Sequence, residues 1–85
     1  MTALSLSELR AHVFPKSLRI LQRLIDANGA MVTFRDLIAE AWPGSRDANP
    51  MNLRTAVHNI RQSLEGTGWT VSVVRGLGYR LERKS

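Results

Sequence analysis

At 85 residues, 44% of them hydrophobic, the chain can build one domain around one core and no more. With no cysteine, and with its two histidines, His12 and His58, far apart, it offers neither disulfides nor a metal cluster, so no metal or other cofactor is expected. Its net charge is +5, no apolar run is long enough to span a bilayer and no basic-then-apolar leader is present, which points to a soluble, cytoplasmic domain, or one cut from a longer protein, with no membrane partner.

Residues 1–13 form a lead-in that is hard to read. Ser5-Leu6-Ser7-Glu8 fits a capping box, and alternation over Leu4-Ser5-Leu6-Ser7 equally fits a short strand. His12, beside Val13 and Phe14 with no second ligand type nearby, is structural or exposed. Pro15 suits the first turn of a helix whose buried stripe is Leu18, Ile20, Leu21, Leu24 and Ile25, ending at Asn28-Gly29. Ala30-Met31-Val32 is long enough only for an extended link. Thr33, with Asp36 three residues on, caps a second helix carrying Phe34, Leu37, Ile38, Ala41 and Trp42, which Pro43-Gly44 stops.

A polar, turn-rich loop leads to a third helix over residues 51–65, opened by Asn49 or Pro50 and closed by Gly66-Thr67-Gly68. Trp69 to Val74 reads as a strand, Arg75-Gly76-Leu77-Gly78 as a four-residue turn, and Tyr79-Arg80-Leu81 as the returning strand. The expected fold is therefore α+β: a winged helix-turn-helix over residues 14–82, with three helices, a β-hairpin wing at 70–81 and a frayed tail at 83–85.

The third helix carries the most chemical information. Leu53, Ala56, Val57, Ile60 and Leu64 make its apolar face. The opposite face holds Arg54, Thr55, His58 and Gln62, with Asn59 and Arg61 on its flanks. All six can hydrogen-bond and none is acidic, so no ion pair forms among them, unlike the Glu-to-Lys or Glu-to-Arg pairing common on solvated helices. Such a front suits base edges in a major groove, although the pattern also fits an amphipathic helix that simply meets water. The charge is skewed the same way. Residues 1–45 hold five basic and four acidic groups, residues 46–85 seven and three, and ten of the twelve cations are arginine, the side chain best matched to phosphate and guanine. Arg35, Arg46 and Arg80 are further cations, each on its own more simply read as exposed.

No Ser/His/Asp arrangement, metal-ligand spacing or phosphate-cradling glycine loop is present, so no catalytic residue and no small-molecule substrate are expected.

Val74-Arg75-Gly76-Leu77-Gly78-Tyr79-Arg80-Leu81 closely resembles the wing signature of OmpR/PhoB-type response-regulator effector domains. Pro15-Lys16 through Leu24, Gly29, Val32-Thr33 through Leu37, and Ala41-Trp42 resemble that family's first two helices, and Leu53 to Leu64 its recognition helix. The likeness covers roughly residues 14–81. It implies sequence-specific binding of duplex DNA, with the third helix in the major groove and the wing at the adjacent minor groove. By position it implies base contacts from Thr55 and Asn59 with Arg54 and His58 beside them, a wing-tip role for Arg75, and places near the phosphate backbone for Trp42 and Tyr79. By residue type both of these read first as packing residues, with a ring edge or a hydroxyl left free. Arg61 and Gln62 complete the candidate surface.

The chain also departs from the family. Asn59, Gln62 and Ser63 are uncharged where basic residues are usual, Val73 replaces a threonine, and Phe14 stands where Ser or Thr normally caps the first helix. Residues 1–13 are too short for the family's N-terminal sheet, and the 85 residues contain no receiver domain, so control by phosphorylation is not inferred. Beyond DNA, a second copy of the chain or RNA polymerase are the partners the resemblance allows. The competing reading is a winged-helix protein-interaction module, which would present apolar anchors on the front of helix three, where Met51 alone is apolar.

Overall fold

The computed structural model describes residues 14–45 and 48–84. The readings made for residues 1–13, including His12, and for Arg46 lie outside them.

Helix α1, Pro15–Asp26, begins at Pro15, whose fixed φ and missing N–H suit a first helical position. Phe14 precedes it in extended conformation and makes no side-chain cap bond. One face of α1 buries Ile20, Leu21 and Leu24. The helix stops where Asn28 and Gly29 take positive φ of 52° and 88°. Helix α2, Phe34–Ala41, is capped as expected: the Thr33 hydroxyl accepts from the Asp36 N–H at 3.1 Å. Helix α3, Pro50–Ser63, starts with Pro50 in its first turn and Asn49 as cap, the Asn49 side chain accepting from the Asn52 N–H at 2.9 Å. It ends two residues before the expected Glu65, and a turn through Gly66 and Gly68 follows.

Strand β1, Val32–Thr33, takes in Val32, the last residue of the stretch expected to be only a link, and the capping Thr33. Strands β2, Trp69–Val74, and β3, Gly78–Arg83, form the wing hairpin. The sheet is antiparallel in the order β1-β3-β2, with Val32 opposite Tyr79 and Thr33 opposite Gly78. Two residues pair here because an extended segment before a capped helix leaves its backbone groups free, and the wing's inner strand supplies partners.

That pairing corrects the reading of Gly78. It opens β3 rather than belonging to the turn, and a Cβ there would lie 2.0 Å from the Val32 carbonyl oxygen. Close approach of β1 demands this glycine. The tip itself is made by Gly76, at φ +76°.

The hairpin also runs further than expected. Trp69 pairs with Arg83, and the Lys84 N–H donates to the Gly68 carbonyl at 2.8 Å, so the tail is held to the strand before it.

Among the described residues, the core joins helices α1, α2 and α3 to the sheet. Ile20, Leu21 and Leu24 of α1, Leu37 of α2, and Leu53, Val57, Ile60 and Leu64 of α3 meet Val71, Tyr79 and Leu81. Two ties position the wing against the helices. The Phe34 N–H at the start of α2 donates to the Leu77 carbonyl at 3.0 Å. The Arg61 Nε on α3 donates to the Val71 carbonyl at 2.8 Å.

Candidate nucleic-acid interface

Packing the apolar face of α3 against the core turns its other side outward. At roughly 100° per residue, Met51, Thr55, His58 and Gln62 fall within an arc of roughly 60°. All four are exposed. The two flanks of this row differ. Arg54 and Arg61, seven residues apart, lie on the side toward the wing, and Asn59 lies on the side toward α1. Asn59 is half-buried, and its Oδ1 accepts from the Phe14 N–H at 3.4 Å, a long bond that turns this oxygen toward the start of α1.

Between α3 and the wing runs a groove of about 600 Å³, lined by Phe34, Pro50, Leu53, Arg54, Arg61, Val73, Arg75 and Tyr79. Arginines from both elements thus converge on one concavity, and no acidic side chain among the described residues lines it. Arg54 and Arg75, like His58 and Gln62, make no side-chain hydrogen bond or ion pair among the described residues.

Arg61 is different. Besides its bond to Val71, its guanidinium lies 6.0 Å from the centre of the Tyr79 ring. β2 is an edge strand, and an outward carbonyl there needs a partner; Arg61 supplies it. This arginine ties the helix to the wing while still lining the groove.

Trp42 and Tyr79, whose positions match backbone-proximal sites but which read first as packing residues, are mostly internal. Tyr79, 6% exposed, meets the Phe34 ring edge-on with centroids 5.3 Å apart and contributes to the groove wall. Trp42, 7% exposed, lies outside that groove, at the end of α2 with Lys16 Nζ 5.6 Å from its ring centre. Arg80 is also occupied: its guanidinium binds Glu82 at 2.5 Å, and the Ser72 hydroxyl donates to the other Glu82 oxygen. Those donors hold the Glu82 carboxyl below the ordinary glutamate range, the Ser72 bond first and Arg80 second, against a smaller opposing effect of desolvation.

The structure therefore joins Arg54, Arg61, Arg75 and Tyr79 in one groove, with Thr55, His58 and Gln62 on the adjoining outer row. It leaves Trp42 apart. It adds Val73, 55% exposed on the groove wall, and Leu77, 56% exposed at the tip. Strand alternation put Val73 and Val71 on one face, so it gave no sign that one would be covered by α3 and the other left open. A second concavity, of about 500 Å³, is lined by Ile25, Trp69 and Leu81 among others, and by none of the residues expected at DNA.

No helix among the described residues is long and apolar enough to cross a membrane. No curated protein matches the chain. The family described as "Transcriptional regulatory protein, C terminal" matches residues 8–81, nearly the whole length and beginning inside the lead-in. The three helices and three-stranded antiparallel sheet of the described residues, together with that match, make this chain a member of the OmpR/PhoB-type effector-domain family of DNA-binding transcription regulators.

Proposed function

We propose that this domain reads a specific duplex DNA sequence as a transcriptional regulator, with α3 in the major groove and the wing on the adjacent minor groove or backbone. The observation that supports this most is the groove shared by Arg54, Arg61 and Arg75 beside the exposed row of Thr55, His58 and Gln62. A cationic concavity without acidic partners attracts phosphate, and the polar row offers donors and acceptors to base edges. Asn59 contributes through its amide nitrogen, the oxygen being turned toward Phe14. Trp42 and Tyr79, being buried, offer the backbone only a ring edge and the phenol oxygen.

The test is selection of preferred duplexes from a random pool, followed by binding to the enriched site at several salt concentrations. Neutralising about four to six phosphates gives a slope of log K against log salt of roughly −4 to −5, and Arg75→Ala lowers the slope's magnitude by about 1 with similar loss on every sequence. Salt-independent association, or a pool without enrichment, defeats the reading. Footprint length separates a single domain from two copies about a helical turn apart.

The second reading, a protein-interaction module, has its own support in the apolar surface of Val73 and Leu77 on the wing. It expects Val73→Ser or Leu77→Ser to abolish binding to a protein partner such as RNA polymerase while DNA binding persists.

A further inference from the structure

Met51 is the one large apolar side chain on the outward row of α3. It is 68% exposed, sits in the first turn after Pro50, and does not join the core. One turn on, the Thr55 hydroxyl donates to the Met51 carbonyl at 3.1 Å. That bond uses the hydroxyl hydrogen within the helix and holds the side-chain rotamer, so this exposed residue has no donor left and offers its γ-methyl and the acceptor side of its oxygen.

The first two turns of the row therefore present a thioether chain and a methyl with no side-chain hydrogen-bond donor left, whereas His58 and Gln62 further along carry donors. A phosphate gains nothing from Met51, which has no donor. Among base edges in the major groove, only thymine carries an apolar handle, its C5-methyl group. The N-terminal part of a recognition helix is also the part that meets base edges.

From this we propose that Met51, with the Thr55 methyl beside it, reads a thymine methyl group in the target site. The inference rests on the major-groove reading of α3, and its test separates the two. In the duplex selected from the pool, each thymine is replaced singly by deoxyuridine, which lacks only the C5-methyl. Affinities are measured for the wild-type chain, Met51→Ala and Thr55→Ser.

The expected result is one or two thymines at which the replacement weakens the wild-type chain roughly threefold to fivefold, the effect of one methyl-sized apolar contact. Met51→Ala binds the thymine and uracil duplexes within about twofold of each other and keeps the wild-type salt slope. Thr55→Ser, which retains the hydroxyl and drops the methyl, reduces the same discrimination. A wild-type chain that binds its selected site and ignores every uracil overturns the proposal alone. So does a Met51→Ala chain with undiminished discrimination, which leaves Met51 to a protein partner. A Thr55→Ser chain with the wild-type ratio removes Thr55 from the patch. A pool with no enriched sequence defeats the functional reading and this inference together.

Discussion

Arg54 and Arg61 lie on the same flank of α3 and line the same groove, yet they do different work. Arg54 has no side-chain partner among the described residues, so its guanidinium is available to a ligand. Arg61 is committed to the Val71 carbonyl and to the Tyr79 ring. Arg54→Ala is therefore expected to leave urea unfolding within about 0.5 kcal/mol of wild type, since it removes an exposed, unpartnered group. Its DNA affinity falls by about 1–3 kcal/mol if it reads a base. Arg61→Ala loses about 1 kcal/mol of stability as well, the ordinary net worth of such a hydrogen bond. It also weakens binding evenly across sequences, because the wing is no longer tied to the helix. Equal stability losses in the two variants would contradict this division.

The wing is held from both sides. β1 borders β3, α3 reaches β2 through Arg61, and the Leu77 carbonyl receives the first N–H of α2. A hairpin left to itself is marginal in water, so these ties give its tip a defined position beside α3. Gly78 makes the β1 contact possible. Gly78→Ala forces its new methyl onto the Val32 carbonyl and is expected to cost about 2–3 kcal/mol, a typical overpacking penalty, read as a lower thermal midpoint. Gly76→Ala acts differently, since space is open there and only the positive φ opposes it. Its cost is about 1 kcal/mol. If the two variants melt together, Gly78 is an ordinary turn glycine.

Taken together, a small apolar hub carries a cationic surface on one side, and most of the net charge of +5 comes from residues 46–85. Charge gathered on one surface promotes association with polyanions, and it repels itself in the compact state. The Ser72–Glu82–Arg80 set relieves part of this on the sheet. Because the folded state holds Glu82 below its ordinary range, the unfolded chain takes up this proton first as pH falls. The stability it adds is complete well above the ordinary glutamate value, about 4.5, and disappears as pH drops through the lower folded value. Denaturant midpoints of wild type and Glu82→Gln should differ at pH 7 and converge toward pH 3. A difference unchanged at pH 3 would place the effect elsewhere.

Helix existence, both side-chain caps, the hairpin and the exposure of Thr55, His58 and Gln62 on α3 were legible in the order of residues, whereas Arg54, read with them, lies on the flank toward the wing. Each depends on neighbours within a few positions: a 3.6-residue apolar period, Thr33 three places before Asp36, glycine where φ is positive. Contacts between distant segments were not legible that way. Nothing near Val32 announces its pairing with Tyr79, nothing near Gly78 reveals the backbone crossing it, and nothing near Arg61 or Asn59 tells which flank faces the wing and which faces α1. Local pattern reports conformational preference, whereas the partners of a half-exposed polar group are chosen when the chain closes loops of tens of residues. The rotation of α3 about its own axis, set by the core it packs on, sorted the candidate residues into outer row, groove wall and internal tie.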